Sequence, residues 1–347
     1  MAKISFRITG GTDVGLERGN NEDNFILNAD LTKDDWFIPS DVSKSISLGE
    51  YGCLLVVADG MGGMNAGEIA SEIAIESVKE AFSTSDLKKI TVSNNQIKNF
   101  LEKTVEKADL NIKNREKFDN STSGMGTTIV IAWIIEDKAH ICWCGDSRAY
   151  LFNSGSGMVR LSKDHSYVQQ LVDEGKLDAE LAFDHPNSNI ITRSLGDVQA
   201  TAQPDYVCRN ITEGDMILLC SDGLCGLCRD EEIMNVLAGN TEDIDKCKSE
   251  LIAMALEAGG YDNVTIAIFQ TLSVESETPG IVSETFSDFK RRKSVLSAIF
   301  SKMNILIFLL LIIVAVAVCF YIDRADPVLI ETIKSTVKEI FKNIKVS

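Results

Sequence analysis

Apolar runs in this chain repeatedly meet an aspartate close to a glycine. That repetition constrains the fold more than any other feature. Cys53-Leu54-Leu55-Val56-Val57-Ala58 runs into Asp59-Gly60-Met61-Gly62-Gly63, and Ala139–Cys144 runs into Gly145-Asp146-Ser147-Arg148. Met216–Cys220 runs into Ser221-Asp222-Gly223, and Gly259-Gly260-Tyr261-Asp262-Asn263 leads into Val264–Gln270. A fifth acidic site, Asn21-Glu22-Asp23, lies near the N-terminus. One Asp-Gly pair marks a turn. Five acidic sites abutting apolar runs require strands whose ends converge.

Carboxylates brought together in this way repel one another unless a cation neutralises them. An all-oxygen donor set selects hard divalent ions, Mg²⁺ or Mn²⁺, over zinc. A neighbouring glycine lets the backbone come close enough for a main-chain carbonyl to act as a ligand. Two such ions roughly 3.5–4 Å apart acidify a bridging water and stabilise in-line displacement at phosphorus. Arg18, five residues before Asp23, is the candidate to grip phosphate oxygens as a bidentate fork.

The rest of the chain supplies the scaffold. Apolar residues at helical spacing predict helices over Ala66–Phe82 (Ile69, Ile73, Ala74, Val78, Phe82) and Asn95–Phe118. Helical patterns return at Ser166–Glu174, Asp230–Leu237 and Ile244–Ala258. Strand-like runs occupy Gly52–Asp59, Thr128–Ile135, Ala139–Cys144, Arg148–Phe152, Met216–Cys220 and Val264–Gln270, with a turn at Asn153-Ser154-Gly155-Ser156-Gly157. Strands cluster and do not alternate strictly with helices, which predicts an α+β fold over a doubly wound parallel sheet.

Charge divides the chain. Residues 290–347 carry ten Lys/Arg against four Asp/Glu, and residues 1–289 carry 24 against 47, a net −23. An acidic body excludes nucleic acid as the expected partner. Nine cysteines and an N-terminus without an apolar signal core predict reduced thiols and a cytosolic body. Cys220, Cys225 and Cys228 read as small buried side chains. Residues 272–304 are expected to be a Ser/Thr/Glu-rich linker followed by a basic segment. Ile305–Ile322, 18 residues without charge or proline, is the expected transmembrane helix. Lys290, Arg291, Arg292, Lys293 and Lys302 precede it, which places the body in the cytoplasm of a single-pass membrane protein. Residues 323–347 read as a short amphipathic tail.

Taken in order, these motifs resemble the metal-dependent protein phosphatases, the type 2C serine/threonine class, and within it the bacterial branch. Thr12-Asp13-Val14-Gly15-Leu16-Glu17-Arg18-Gly19-Asn20-Asn21-Glu22-Asp23 and Val57-Ala58-Asp59-Gly60-Met61-Gly62-Gly63 are similar to its first two motifs. Gly126-Thr127-Thr128, Gly145-Asp146-Ser147-Arg148, Asp164-His165-Ser166, Ile191-Thr192-Arg193-Ser194-Leu195-Gly196, Leu219-Cys220-Ser221-Asp222-Gly223 and Asp262-Asn263-Val264-Thr265 follow in the family's sequence. The resemblance covers Phe6 to Phe269.

The resemblance implies a four-layer αββα sandwich, two antiparallel sheets flanked by helices, over residues 1–271. It also implies a protein serine/threonine phosphatase with two Mn²⁺ or Mg²⁺ ions, in which an activated water attacks phosphoserine or phosphothreonine directly. By position, Asp59 bridges both ions and Gly60 offers its carbonyl. Asp222 and Asp262 hold one ion with Asp23 organising its waters, and Glu22 acts on the other. Arg18 binds the substrate phosphate, and Asp146 matches the acid that helps hold a weaker third ion. Phosphorylated proteins are the implied substrates, with a Ser/Thr protein kinase at the same membrane as the opposed partner. Val172–Asn189 resembles the mobile flap beside the site.

Two departures stand out. Met61 occupies the place where some members carry a histidine general acid, and Asp30–Glu50 is long for a strand-to-strand connection. The one Cys-x5-Arg spacing, Cys142 to Arg148, starts inside the strand-like run Ala139–Cys144 and is no nucleophile loop, which disfavours a cysteine-based tyrosine phosphatase. A binding module on the same fold would have lost metal carboxylates, and the acidic body counts against a nuclease.

Overall fold

The computed structural model describes residues 3–36, 45–62 and 66–275. The chain begins with β1 (Lys3–Asp13), β2 (Asp23–Asn28), β3 (Ile46–Ser47) and β4 (Cys53–Met61). Helices α1 (Ala66–Thr84), α2 (Leu87–Ile90) and α3 (Asn94–Phe118) follow. Next come β5 (Gly126–Thr127), β6 (Ile129–Ile135), β7 (Lys138–Cys144), β8 (Arg148–Asn153) and β9 (Gly157–Arg160). Short helices α4 (Tyr167–Asp173) and α5 (Ala179–Ala182) precede β10 (Asp205–Asn210) and β11 (Met216–Cys220). Helices α6 (Asp222–Cys225), α7 (Asp230–Gly239) and α8 (Ile244–Glu257) lead to β12 (Val264–Glu275).

The strands form two antiparallel sheets. One has the order β3-β1-β12-β11-β8-β9, and the other β10-β7-β6-β4-β2 with β5 paired to β4. Side-chain alternation shows why these strands read as unbroken apolar runs: both faces of each central strand are covered. In β4, Cys53, Leu55 and Val57 point into the core between the sheets, with Phe6, Phe25, Ile217 and Phe269. Leu54, Val56 and Ala58 face α1 and α3, meeting Ala70, Val78, Leu101 and Ile112. In β11, Ile217 and Leu219 face the other sheet, and Met216, Leu218 and Cys220 pack under α6, α7 and α8 with Leu237 and Leu251. Three apolar layers thus separate four layers of structure, as the αββα expectation requires.

The anticipated helices and strands appear within a few residues of their expected bounds. The sequence reading missed β1, β2 and β10. Ile4, Phe6 and Ile8 of β1 are buried among the inter-sheet residues and alternate with Ser5, Arg7 and Thr9, a period-two signal visible in the sequence. The predicted linker starts too early, because β12 continues to Glu275, paired with Lys3. Eight cysteines are free among the described residues, and Cys220, Cys225 and Cys228 lie in the core under α6 to α8. No helix among the described residues is long and apolar enough to cross a membrane. The rest of the linker, the apolar run 305–322, the tail and most of the middle of the 30–50 insertion lie outside the described residues.

Candidate active site

The strand ends deliver the acidic residues to one edge of the sandwich. Asp23 opens β2 directly opposite Asp59 near the end of β4. Asp222 starts α6 where β11 stops, Asp262 precedes β12, and Asp146 sits in the turn between β7 and β8. Register ties these ends together, since Cys220 pairs with both Ile266 and Arg148. Gly60 lies where β2, β4 and α1 converge. A Cβ there would stand 2.2 Å from the Gly67 carbonyl oxygen and 2.4 Å from that of Glu22, so only glycine permits the approach.

Asp146 is buried, Asp23, Asp59 and Asp222 are partly buried, and each carboxyl is held above the usual range. Burial is the main cause for all four. Asp59 is raised further by the charges of Asp222, Asp23 and Asp146. Asp23 is pushed up to about 8, against hydrogen bonds from Thr265 and Ser221 that favour its charged form. The Ser221 hydroxyl donates to Asp23 Oδ2 at 2.7 Å. Asp146 Oδ1 is buried and has no hydrogen-bond partner. Glu22, more open, is raised by partial burial and lowered by Arg18.

Arg18 stands at the mouth. Its Nη2 donates to Asp262 Oδ2 at 2.7 Å. Partial burial opposes its charge, but Asp262, Glu22 and Asp222 outweigh that and raise its pKa. All eight residues singled out in the sequence therefore gather at this edge. Among the described residues no three His, Cys, Asp or Glu side chains are grouped as a ready-made cage. Hard divalent ions keep much of their hydration and need only one or two carboxylates each. The donor set is all oxygen, only Asp262 of the aspartates is paired with a cationic side chain, and Asp146 presents an orphan oxygen. These residues fit Mn²⁺ or Mg²⁺.

The sequence reading did not assign the residues that hold this arrangement. Thr127 Oγ1 donates to the Asp59 carbonyl at 2.9 Å, and the Asp59 N–H donates to Thr128 Oγ1 at 3.1 Å. The Thr128 and Ser147 hydroxyls are 2.7 Å apart, which links Asp59 to the Asp146 turn. Asn263 Oδ1 accepts from the Glu22 N–H at 2.8 Å, and its Nδ2 donates to the carbonyls of Val14 and Asn20 at 2.8 and 3.0 Å. Each belongs to a motif quoted above, and that membership was the available signal.

A cavity of about 520 Å³ opens beside the carboxylates, walled by Asp146, Asp222 and Asp262 on one side and Val172, Ala182, Phe183 and Asn189 on the other. The flap-like segment is thus in place. Arg229 holds it through Asp184 at 2.7 Å and lies 4.4 Å from the Phe183 ring centroid. No histidine lines the cavity among the described residues. His140 Nδ1 is bonded to Tyr206 at 2.6 Å. His165 Nδ1 accepts from the Gly145 N–H at 3.1 Å, so its Nε2 carries the proton and faces Asp205 at 3.2 Å. His185 Nδ1 accepts from the Asn187 N–H at 3.1 Å within the flap turn.

Residues 20–264 match the family model described as "Protein phosphatase 2C". The chain is 32% identical over 269 residues to "Protein phosphatase PhpP" of Streptococcus pneumoniae, covering 77% of this chain and 98% of that protein. It superposes on the serine/threonine phosphatase of S. agalactiae with a TM-score of 0.65 and 30% identity, over 76% of this chain and 99% of the other. The catalytic domain of the serine threonine protein phosphatase PstP, solved in complex with two manganese ions, gives 0.61 at 28% identity, over 78% and 100%.

Proposed function

The chain belongs to the protein phosphatase 2C family of protein serine/threonine phosphatases, and from that premise we propose that the carboxylate edge is its catalytic centre. Enzymes of this family use Mn²⁺ or Mg²⁺. When bound, two such ions supply Lewis acidity that acidifies an attacking water and neutralises charge gathering at phosphorus.

The chain's own residues then have distinct tasks. Asp59 would be a ligand for both ions, and the Gly60 carbonyl would offer a further oxygen. Asp222 and Asp262 would hold one ion with Asp23 organising its waters, and Glu22 would act on the other. Asp146 would contribute its unpartnered oxygen to a third, weaker ion. Arg18 would move from its single bond to Asp262 onto the phosphate, where its guanidinium can pair with two oxygens at once. With Met61 in place of an imidazole and no histidine in the cavity wall, the leaving serine or threonine oxygen takes its proton from water. The observation that carries this reading is the set of four desolvated aspartates next to one exposed arginine.

Release of phosphate from a phosphothreonine peptide with Mn²⁺, abolished by EDTA and absent with DNA as substrate, is the expected result. Hydrolysis of DNA but not of the peptide would overturn the reading.

The apolar run 305–322 is proposed as a single-pass anchor that keeps the catalytic domain in the cytoplasm, opposite a membrane-associated Ser/Thr kinase. Its support is the basic flank before the run. The full-length protein should resist carbonate extraction, and its catalytic domain should be protected from external protease in spheroplasts. Extraction by carbonate would remove the anchor from the account.

A further inference from the structure

The loops that carry Arg18 and Asp262 also present large apolar side chains to solvent. Leu16 is 68% exposed, Tyr261 56% and Val14 38%. Leu16 lies two residues before Arg18, and Tyr261 directly precedes Asp262. The two loops are fastened to each other. The Leu16 N–H donates to the Gly260 carbonyl at 2.7 Å, and Arg18 Nε donates to the Tyr261 carbonyl at 3.4 Å. Asn263 holds Val14 and Asn20 from beneath, as described above.

The exposed side chains rest on bare backbone. A Cβ on Gly260 would stand 2.9 Å from Leu16 Cγ, and one on Gly259 would stand 2.5 Å from Tyr261 Cζ. Tyr261 also joins Asp146 and Asp222 in the cavity wall. Apolar area held in place beside a charged site gains free energy when a partner removes it from water, and little ordering remains to be done on contact.

A protein phosphatase must seat the polypeptide on both sides of the phosphorylated residue. We propose that Leu16 and Tyr261, with Val14, form a shelf that selects substrates carrying an apolar or aromatic side chain next to the phosphoserine or phosphothreonine. The inference rests on the reading of Arg18 as the phosphate clamp. That clamp places the phosphorylated residue at the edge of the shelf and its neighbours over it.

Two phosphothreonine peptides test this with the full chain and Mn²⁺. One carries Leu and Phe within two positions of the phosphothreonine, and the other carries Gly at the same positions. The wild type should favour the apolar-flanked peptide by about tenfold in kcat/KM, chiefly through KM, as expected for burying one side chain in a contact made equally in ground and transition states. The double variant Leu16→Ser/Tyr261→Ser should cut that preference to about twofold or less, with the glycine-flanked rate within about twofold of wild type. If the double variant unfolds, the single variants Leu16→Ser and Tyr261→Thr carry the same comparison. No preference in the wild type overturns the shelf, and so does a preference that survives substitution or an equal loss on both peptides. A wild type that hydrolyses neither peptide overturns the phosphatase reading, and the shelf with it.

Discussion

Two acidic walls flank the active-site edge, and Asp146, Asp222, Asp164 and Asp230 from them line the cavity itself. On one side Asp23, Asp59, Asp146 and Asp222 crowd together without a cation, and burial lifts each carboxyl above its usual range. On the other, Arg148 answers the charge. Its Nη2 meets Asp164 at 2.7 Å with Nε at 3.0 Å from the same carboxylate, and its Nη1 reaches Tyr150 at 3.1 Å and Asp230 at 3.3 Å. Tyr150 closes the network on Asp230 at 2.8 Å. Residue type is shared, although Asp230 is 47% exposed and Asp146 only 7%. Counter-charge differs, and that difference separates a wall that holds the fold from the one proposed to take ions. A buried carboxylate that is paired stabilises its surroundings, whereas an unpaired one costs stability until something binds it.

The sharpest way to break the comparison is one substitution in each wall. Asp222→Asn should lower kcat on a phosphopeptide by at least about a thousandfold, roughly 4 kcal/mol of transition-state stabilisation. It should leave the metal-free protein as stable as wild type or more so, because it deletes repulsion. Steady-state kinetics with Mn²⁺ and unfolding in EDTA measure the two effects. Retention of a tenth of the activity would remove Asp222 from the centre.

Arg148→Met should do the reverse. It leaves Asp164 with only the longer contact from Arg160 at 3.5 Å and should cost about 3 kcal/mol of folding stability, while the molecules that remain folded keep kcat within severalfold. Denaturant unfolding combined with activity per folded molecule is the check. Loss of activity at full stability would move Arg148 into the chemistry.

Titration sharpens the contrast further. In the metal-free protein burial holds the Asp23 proton up to about pH 8, whereas the unfolded chain releases it near 3.8. Between those values the folded state carries the extra proton, so this group's contribution to stability falls as pH rises. Asp23→Asn removes the penalty and keeps an oxygen for the Ser221 hydroxyl. Its stability advantage over wild type in EDTA should therefore grow by nearly 4 kcal/mol, about 1.4 kcal/mol per pH unit, between pH 5 and pH 8. A flat difference would mean that water reaches the cluster.

The smallest expected effect lies at the mouth, where Arg18 is half exposed and, as the proposed clamp, would meet phosphate in ground and transition states alike. Arg18→Ala should raise KM for phosphopeptides about tenfold with kcat changed by less than about threefold. An unchanged KM would show that another group holds the phosphate.

Part of this molecule could be read from the chain alone. The apolar runs that became β4, β6, β7, β8, β11 and β12 are legible because strands buried on both faces admit little but apolar residues. The aspartates at their ends are legible because a carboxylate beside a buried run demands a reason. β1 went unread although Ile4, Phe6 and Ile8 alternate plainly, since Gly10 and Gly11 interrupt the run. β10 has no buried residue, so an edge strand of this kind leaves no burial pattern to find.

Sequence by itself singled out the residues proposed to carry chemistry, because ion ligands must be particular atoms on particular side chains. It also determined the αββα class, because the motif order resembles one family. Tertiary structure alone decided which carboxylates lack a counter-charge. Asp146 and Asp164 look alike in the sequence, and only packing puts Arg148 against one and leaves Oδ1 of the other without a partner. It alone set Arg18 on Asp262, 244 residues away, and laid Leu16 and Tyr261 over neighbouring glycines. Pairing, desolvation and exposure depend on distances in space, and those are fixed only when the two sheets close on each other.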